Sequence, residues 1–167
     1  MRNILLVLLC RLIAAMTATM TATMISTGAA AETLSGPVKV IDATNMRVGK
    51  QLVRLYGIAA PKASDRCPLR SVTIKCGRIA TTALMDLTAG AFVECETHGK
   101  PDAKGIYLAT CKAVGYDLSE GMIHTGWARP VKGAPAHYRA VEAGARKRGR
   151  GLWRGEFPDA VNKAARR

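Results

Sequence analysis

Negative charge is scarce in this chain. Its 167 residues include 12 Asp and Glu against 25 Lys and Arg, a formal net charge of +13. Such an excess makes cationic partners poor candidates. It favours nucleic acid, acidic lipid or acidic polysaccharide without choosing among them, and it also serves solubility. Long apolar runs are missing too. Ile4-Leu5-Leu6-Val7-Leu8-Leu9 follows Arg2, but Arg11 interrupts it, whereas a membrane span needs roughly 20 apolar residues. A basic start, a short apolar core and a small-residue end at Ala29-Ala30-Ala31 read as a secretory signal peptide over residues 1–31, cleaved near Ala31. The expected product is exported, periplasmic or secreted, with no membrane span. Losing Arg2 and Arg11 leaves it 23 basic against 12 acidic residues, a net charge of +11.

Histidine is sparse. His98, His124 and His137 are scattered, with no spacing that suggests a metal site or a catalytic triad, and each reads as a surface or satisfied residue. Cys10 falls in the signal segment, which leaves Cys67, Cys76, Cys95 and Cys111. Their spacings are not the close pairs of structural zinc sites, so no metal is expected. Four cysteines in a small exported domain imply two disulfides, with three connectivities open. Proximity favours Cys67 with Cys76 and Cys95 with Cys111, each worth about 2.5–3 kcal/mol through the shortened unfolded-state loop.

No internal repeat interrupts a length that suits one compact domain plus an N-terminal extra. Val38–Asp42 reads as a strand, and Asn45–Val48 and Gln51–Tyr56 flank a turn at Gly49-Lys50. Pro61–Lys75 reads as a polar loop. From Cys76 to Leu87, Ile79, Ala80, Ala83, Leu84 and Leu87 recur at helical spacing. Ala91–Cys95 and Ile106–Cys111 read as strands joined by exposed Thr97–Gly105. Asp117 caps a helix containing Leu118, Met122 and Ile123, and a last helix runs from Ala136 to Arg148. Residues 158–167 are short of apolar anchors and read as a flexible basic tail. Five strands interleaved with three helices suggest an α+β domain built as a small barrel.

Val53-Arg54-Leu55-Tyr56-Gly57-Ile58-Ala59-Ala60-Pro61-Lys62 carries a sharper signal. With Val40-Ile41-Asp42, Cys76-Gly77-Arg78, Gly126-Trp127-Ala128 and Gly151-Leu152-Trp153, it resembles the staphylococcal-nuclease (thermonuclease-like) family over residues 36 to 157. The four cysteines resemble those of its exported bacterial members. The resemblance implies a five-stranded OB-fold barrel with three helices, placed at 33–157. It also implies calcium-dependent phosphodiester hydrolysis, but the residues for that chemistry are largely replaced. Where the family has Asp-Gly-Asp-Thr this chain has Asp42-Ala43-Thr44-Asn45, so Thr44 replaces a calcium-binding Asp. Ala59 replaces a second such Asp, and Lys62 replaces the Glu that activates water. In place of a Tyr-Gly-Arg motif stands Lys104-Gly105-Ile106, so a phosphate-binding Arg is lost at Ile106. Arg54 alone keeps a functional family identity. Gly57-Ile58 and Pro61 pin the alignment, so neither Asp42 nor Asp65 slips into a vacated role.

Physical chemistry points the same way. Calcium takes roughly six to eight oxygen ligands, and a lysine ammonium accepts no proton near neutral pH. The expected protein is therefore an impaired, cofactor-free, monomeric pseudonuclease that binds nucleic acid or another polyanion through Arg54, Lys62 and Lys104. An active or weakly active secreted endonuclease is the alternative, and an envelope interaction module a second. Arg54 reads equally as a phosphate ligand or a strand residue held by its neighbours. Lys62 and Lys104 read as a new anion site or as drift. The run Arg146-Lys147-Arg148-Gly149-Arg150, with Arg139 and Arg154, reads as a phosphate track or as a solvated helix face. Trp127 and Trp153 fall on family core positions, which excludes them as base-stacking platforms.

Overall fold

A computed structural model of the protein describes residues 32–166; the expected signal peptide lies outside the described residues. The strands β1 (Thr33–Val40), β2 (Asn45–Val48) and β3 (Gln51–Leu55) form a meander. β4 (Ile58–Ala59) leads into a hairpin, β5 (Cys67–Leu69) and β6 (Val72–Ile74), and then into α1 (Cys76–Thr88). β7 (Phe92–Thr97), β8 (Ile106–Ala113) and β9 (Tyr116–Asp117) follow, then α2 (Leu118–His124) and β10 (Arg129–Pro130). The chain ends with α3 (His137–Lys147), a 3₁₀ turn (Gly151–Arg154) and α4 (Asp159–Arg166).

Alternation closes the barrel. In β2, β3, β7 and β8 every second side chain is buried, among them Met46, Val48, Val53, Leu55, Val93 and Ala109. Each of the Met, Val and Leu side chains stabilises by about 1.5–3 kcal/mol on burial. β1 pairs antiparallel with β2 and β7, β2 with β3, and β7 with β8. The circuit closes through one parallel pair, β3 with β8, in which Arg54 lies opposite Leu108. This is the expected five-stranded α+β barrel. Cys95 and Cys111 face each other across β7 and β8, and their disulfide is buried in the barrel. Cys67 and Cys76 form the second bridge. Both pairs are those that proximity favours.

The helices are fastened by named contacts. Asp117 Oδ1 accepts the Glu120 amide (3.1 Å), capping α2, while its Oδ2 accepts the Tyr138 hydroxyl (2.7 Å) from α3. Ser119 Oγ donates to the Tyr56 carbonyl (2.9 Å), tying α2 to the end of β3. No helix among the described residues is long and apolar enough to cross a membrane.

Two expectations fail. The segment Pro61–Lys75 is not plain loop. It holds the β5–β6 hairpin, whose short exposed strand Val72–Ile74 carries no alternation to read. The loose tail expected at 158–167 is not found over Asp159–Arg166, which forms a fourth helix, α4. Val161 is its buried apolar anchor, clustered with Cys67, Cys76, Leu152 and Phe157, and Asn162 adds hydrogen bonds with Arg129 and the Phe157 carbonyl. Asp159 in the first turn, with Lys163 and Arg166 in the last, suits the helix dipole.

Candidate functional site

The turn after β1 is organised by one carboxylate. Asp42 Oδ1 accepts the Thr44 amide (2.8 Å), the Asn45 amide (2.8 Å), the Thr44 hydroxyl (3.1 Å) and Asn45 Nδ2 (3.0 Å). Its Oδ2 accepts Asn45 Nδ2 as well (2.8 Å). Asn45 pairs with Arg54 across β2 and β3, and its Oδ1 accepts Arg54 Nε (3.0 Å). Among the described residues the two terminal guanidinium nitrogens of Arg54 make no hydrogen bond, so they face the solvent. Arg54 is thus both held by its neighbour and open to a ligand.

The opposite wall comes from the loop after β4. Asp65 Oδ2 accepts the Lys62 amide (2.9 Å), and the Asp65 amide donates to the Lys62 carbonyl (2.9 Å). The Gly77 amide at the start of α1 donates to the Asp65 carbonyl (3.2 Å). A Cβ on Gly77 would stand 1.7 Å from the Lys62 carbonyl oxygen, so only glycine lets the loop rest on the helix there. This packing fixes the backbone of Lys62 while its side chain stays exposed.

Between the walls lies a cleft of about 390 Å³. Its lining includes Thr44, Arg54, Ala59 and Lys62, together with Asp42, Asn45, Asp65, Ala160 and Val161. Four positions that the resemblance singles out therefore converge. Ile106 joins Arg54 in two adjoining hollows of about 240 and 300 Å³, the larger also lined by His98, Lys100 and Asp102. Lys104 does not line any of these hollows. It sits exposed on the turn between β7 and β8, where its amide donates to Asp102 Oδ1 (2.9 Å). The Ile106 and Lys104 amides hold the Asp102 carboxyl below the usual range, with Arg54 adding to the effect.

The sequence reading did not single out Asn45, Lys100 or Asp102. The signal that finds them is the strand register: β2 beside β3 sets Asn45 opposite Arg54, and β3 beside β8 brings residues 98–108 against it. His98 is otherwise engaged: it stacks on Tyr56 (3.9 Å between ring centres) and bonds Thr110 Oγ1 (2.8 Å). Among the described residues no group of three His, Cys, Asp or Glu is placed to hold a metal ion.

The barrel with one parallel closure and a cation-bearing cleft beside β3 defines an OB-fold domain of the nuclease-like class. Residues 52–155 match the family model described as Staphylococcal nuclease homologue, and the chain belongs to that family. It is also similar to the succinoglycan biosynthesis protein ExoI of Rhizobium meliloti (strain 1021). The two are 30% identical over 134 residues, covering 76% of this chain and 68% of that one.

Proposed function

We propose that this chain is a non-hydrolytic member of its family that holds nucleic acid by its phosphates in the cleft of Arg54 and Lys62. One observation carries the reading: the cleft offers cationic donors, and both of its carboxylates are already engaged by their own loops. Asp42 is spent on five hydrogen bonds from its own turn, and Asp65 holds the backbone of Lys62. The family's calcium does not fit this donor set. Ala59 supplies no side-chain oxygen, and Thr44 offers a neutral hydroxyl in place of a carboxylate, one that already donates to Asp42 and accepts Asn45 Nδ2, whereas calcium asks for roughly six to eight oxygens. Positive charge with no base retains a phosphodiester but does not cleave it. The two disulfides suit an oxidising compartment, and with the N-terminal pattern they support export after cleavage near Ala31.

The test is hydrolysis of single-stranded DNA and RNA, with calcium and with chelator, by the wild type and an Ala59→Asp/Lys62→Glu variant. The expected result is no turnover by the wild type in either condition, with salt-sensitive retention of both nucleic acids. Calcium-dependent cleavage by the wild type overturns the reading. The name of the relative favours a second reading, an interaction module serving a biosynthesis of that kind. That reading takes over if the protein retains neither DNA nor RNA at low salt.

A further inference from the structure

A second cationic surface lies outside the cleft. From His137 to Arg154 the chain carries Arg139, Arg146, Lys147, Arg148, Arg150 and Arg154 against one carboxylate, Glu142. That carboxylate is turned inward, where it accepts Arg129 Nε at 2.7 Å, so it does not offset the outer charges. Several cations are braced. Arg150 Nη1 donates to the His124 carbonyl (3.2 Å) and Arg148 Nη1 to the Gly144 carbonyl (3.3 Å). Arg150 and Arg154 line a hollow of about 400 Å³ formed where α2 ends and the 3₁₀ turn begins.

We propose that this face, α3 with the 3₁₀ turn, is a second contact for a nucleic-acid backbone. The proposal rests on the reading of the cleft as a nucleic-acid site. The chemistry favours backbone contact over base recognition. Arg129 and Arg146 lie over the Trp153 ring at 5.1 and 5.5 Å from its centre, so Trp153 is engaged by cations rather than offered for stacking. It also favours nucleic acid over a lipid surface. The large exposed apolar side chains, Phe92, Val114 and Tyr116 among them, all lie outside His137–Arg154 in sequence, so α3 and the 3₁₀ turn themselves carry no large apolar anchor to insert. Five of the six cations are arginines, whose planar fork matches phosphate oxygens two at a time.

The two surfaces are mechanically joined. Arg129 holds Glu142 of α3 through Nε and Asn162 of α4 through Nη1 (2.8 Å). Ala160 and Val161 of that same α4 wall the cleft. α4 spans about 12 Å at 1.5 Å per residue, a length that a single strand of a few nucleotides covers.

The test compares binding of a single strand of about 30 nucleotides, beyond the roughly 4–16 that one OB-fold covers, across a salt series. An Arg139→Gln/Lys147→Gln/Arg154→Gln variant removes three cations whose side chains make no hydrogen bond or ion pair among the described residues. Circular dichroism and the melting temperature should match the wild type. Affinity at low salt should fall about tenfold or more, with the log–log salt slope shallower by about 2, at roughly 0.7 per lost phosphate contact. An Arg54→Gln/Lys62→Gln variant is run beside it. Unchanged affinity and slope in the triple variant, with loss in the cleft variant, overturn the second surface and keep the cleft reading. Loss in the triple variant alone keeps the surface and removes the cleft. No binding by the wild type overturns both. Tighter binding to heparin, a polysaccharide without phosphate, overturns the nucleic-acid assignment.

Discussion

Tyr138 shows how one side chain couples fold and titration. It is buried in the core, and its hydroxyl donates to Asp117, the residue that caps α2. Burial first, and the Asp117 carboxylate second, push its pKa well above the ordinary 10.0. The sign follows from proton counting. Above the unfolded value the unfolded chain loses this proton while the folded chain keeps it, so stability falls as pH rises. The contribution is complete below about pH 10 and drains away above it. A Tyr138→Phe variant should cost about 1.5 kcal/mol at neutral pH for the lost hydrogen bond to a charged partner. Its deficit should narrow above about pH 10, because Phe has no proton to lose. Urea titrations of both proteins across that range read this directly, and parallel pH curves would refute the assignment.

Among the elements, α4 departs furthest from the sequence reading and does the most at the cleft. The barrel strands were legible because alternation is visible in Met46-Arg47-Val48 and Val93-Glu94-Cys95. α1 was legible because Ala80 and Leu84 recur at the helical period. α4 does carry a helical period, Val161 with the half-buried Ala164 and Ala165, but one large apolar residue among alanines is too weak a signal to read as an anchor. β5 and β6 were equally hidden, since their short backbone ladder carries no hydrophobic face and the disulfide of Cys67 runs to α1. Composition did not reveal the cleft. Thr44, Ala59 and Lys62 became interpretable only through the family resemblance. Lys100 was missed, and Lys104 misplaced, because strand register decides which side of a turn meets Arg54. A Val161→Asp substitution should release α4. The expected cost is about 1.5–3 kcal/mol, the burial energy of the side chain. Hydrogen exchange should accelerate across Asp159–Arg166 while β7 and β8 remain protected. Uniform acceleration through the barrel would show instead that α4 is integral to the main core.

At the scale of the whole molecule, the cleft is a seam between two cores of unequal size. Asp42, Thr44, Asn45 and Arg54 stand on the barrel and its large hydrophobic cluster. Across from them the lining comes from Lys62, Asp65, Ala160 and Val161, beside a small cluster of Cys67, Cys76, Leu152, Phe157 and Val161. Each core contains one disulfide, and the two bridges should therefore fail differently. Replacing Cys95 and Cys111 with alanine takes the cross-link out of the barrel, so global stability should fall by about 3 kcal/mol. Replacing Cys67 and Cys76 removes a comparable constraint, about 2.5 kcal/mol, from a cluster with few other contacts to hold it. That variant should keep a cooperative barrel transition yet lose nucleic-acid retention several-fold, because the wall carrying Lys62 loosens before the strands do. Thermal unfolding and filter binding on the two double variants separate the cases. Equal loss of retention per degree of melting temperature in both would mean that the cleft depends on overall stability and not on its smaller wall.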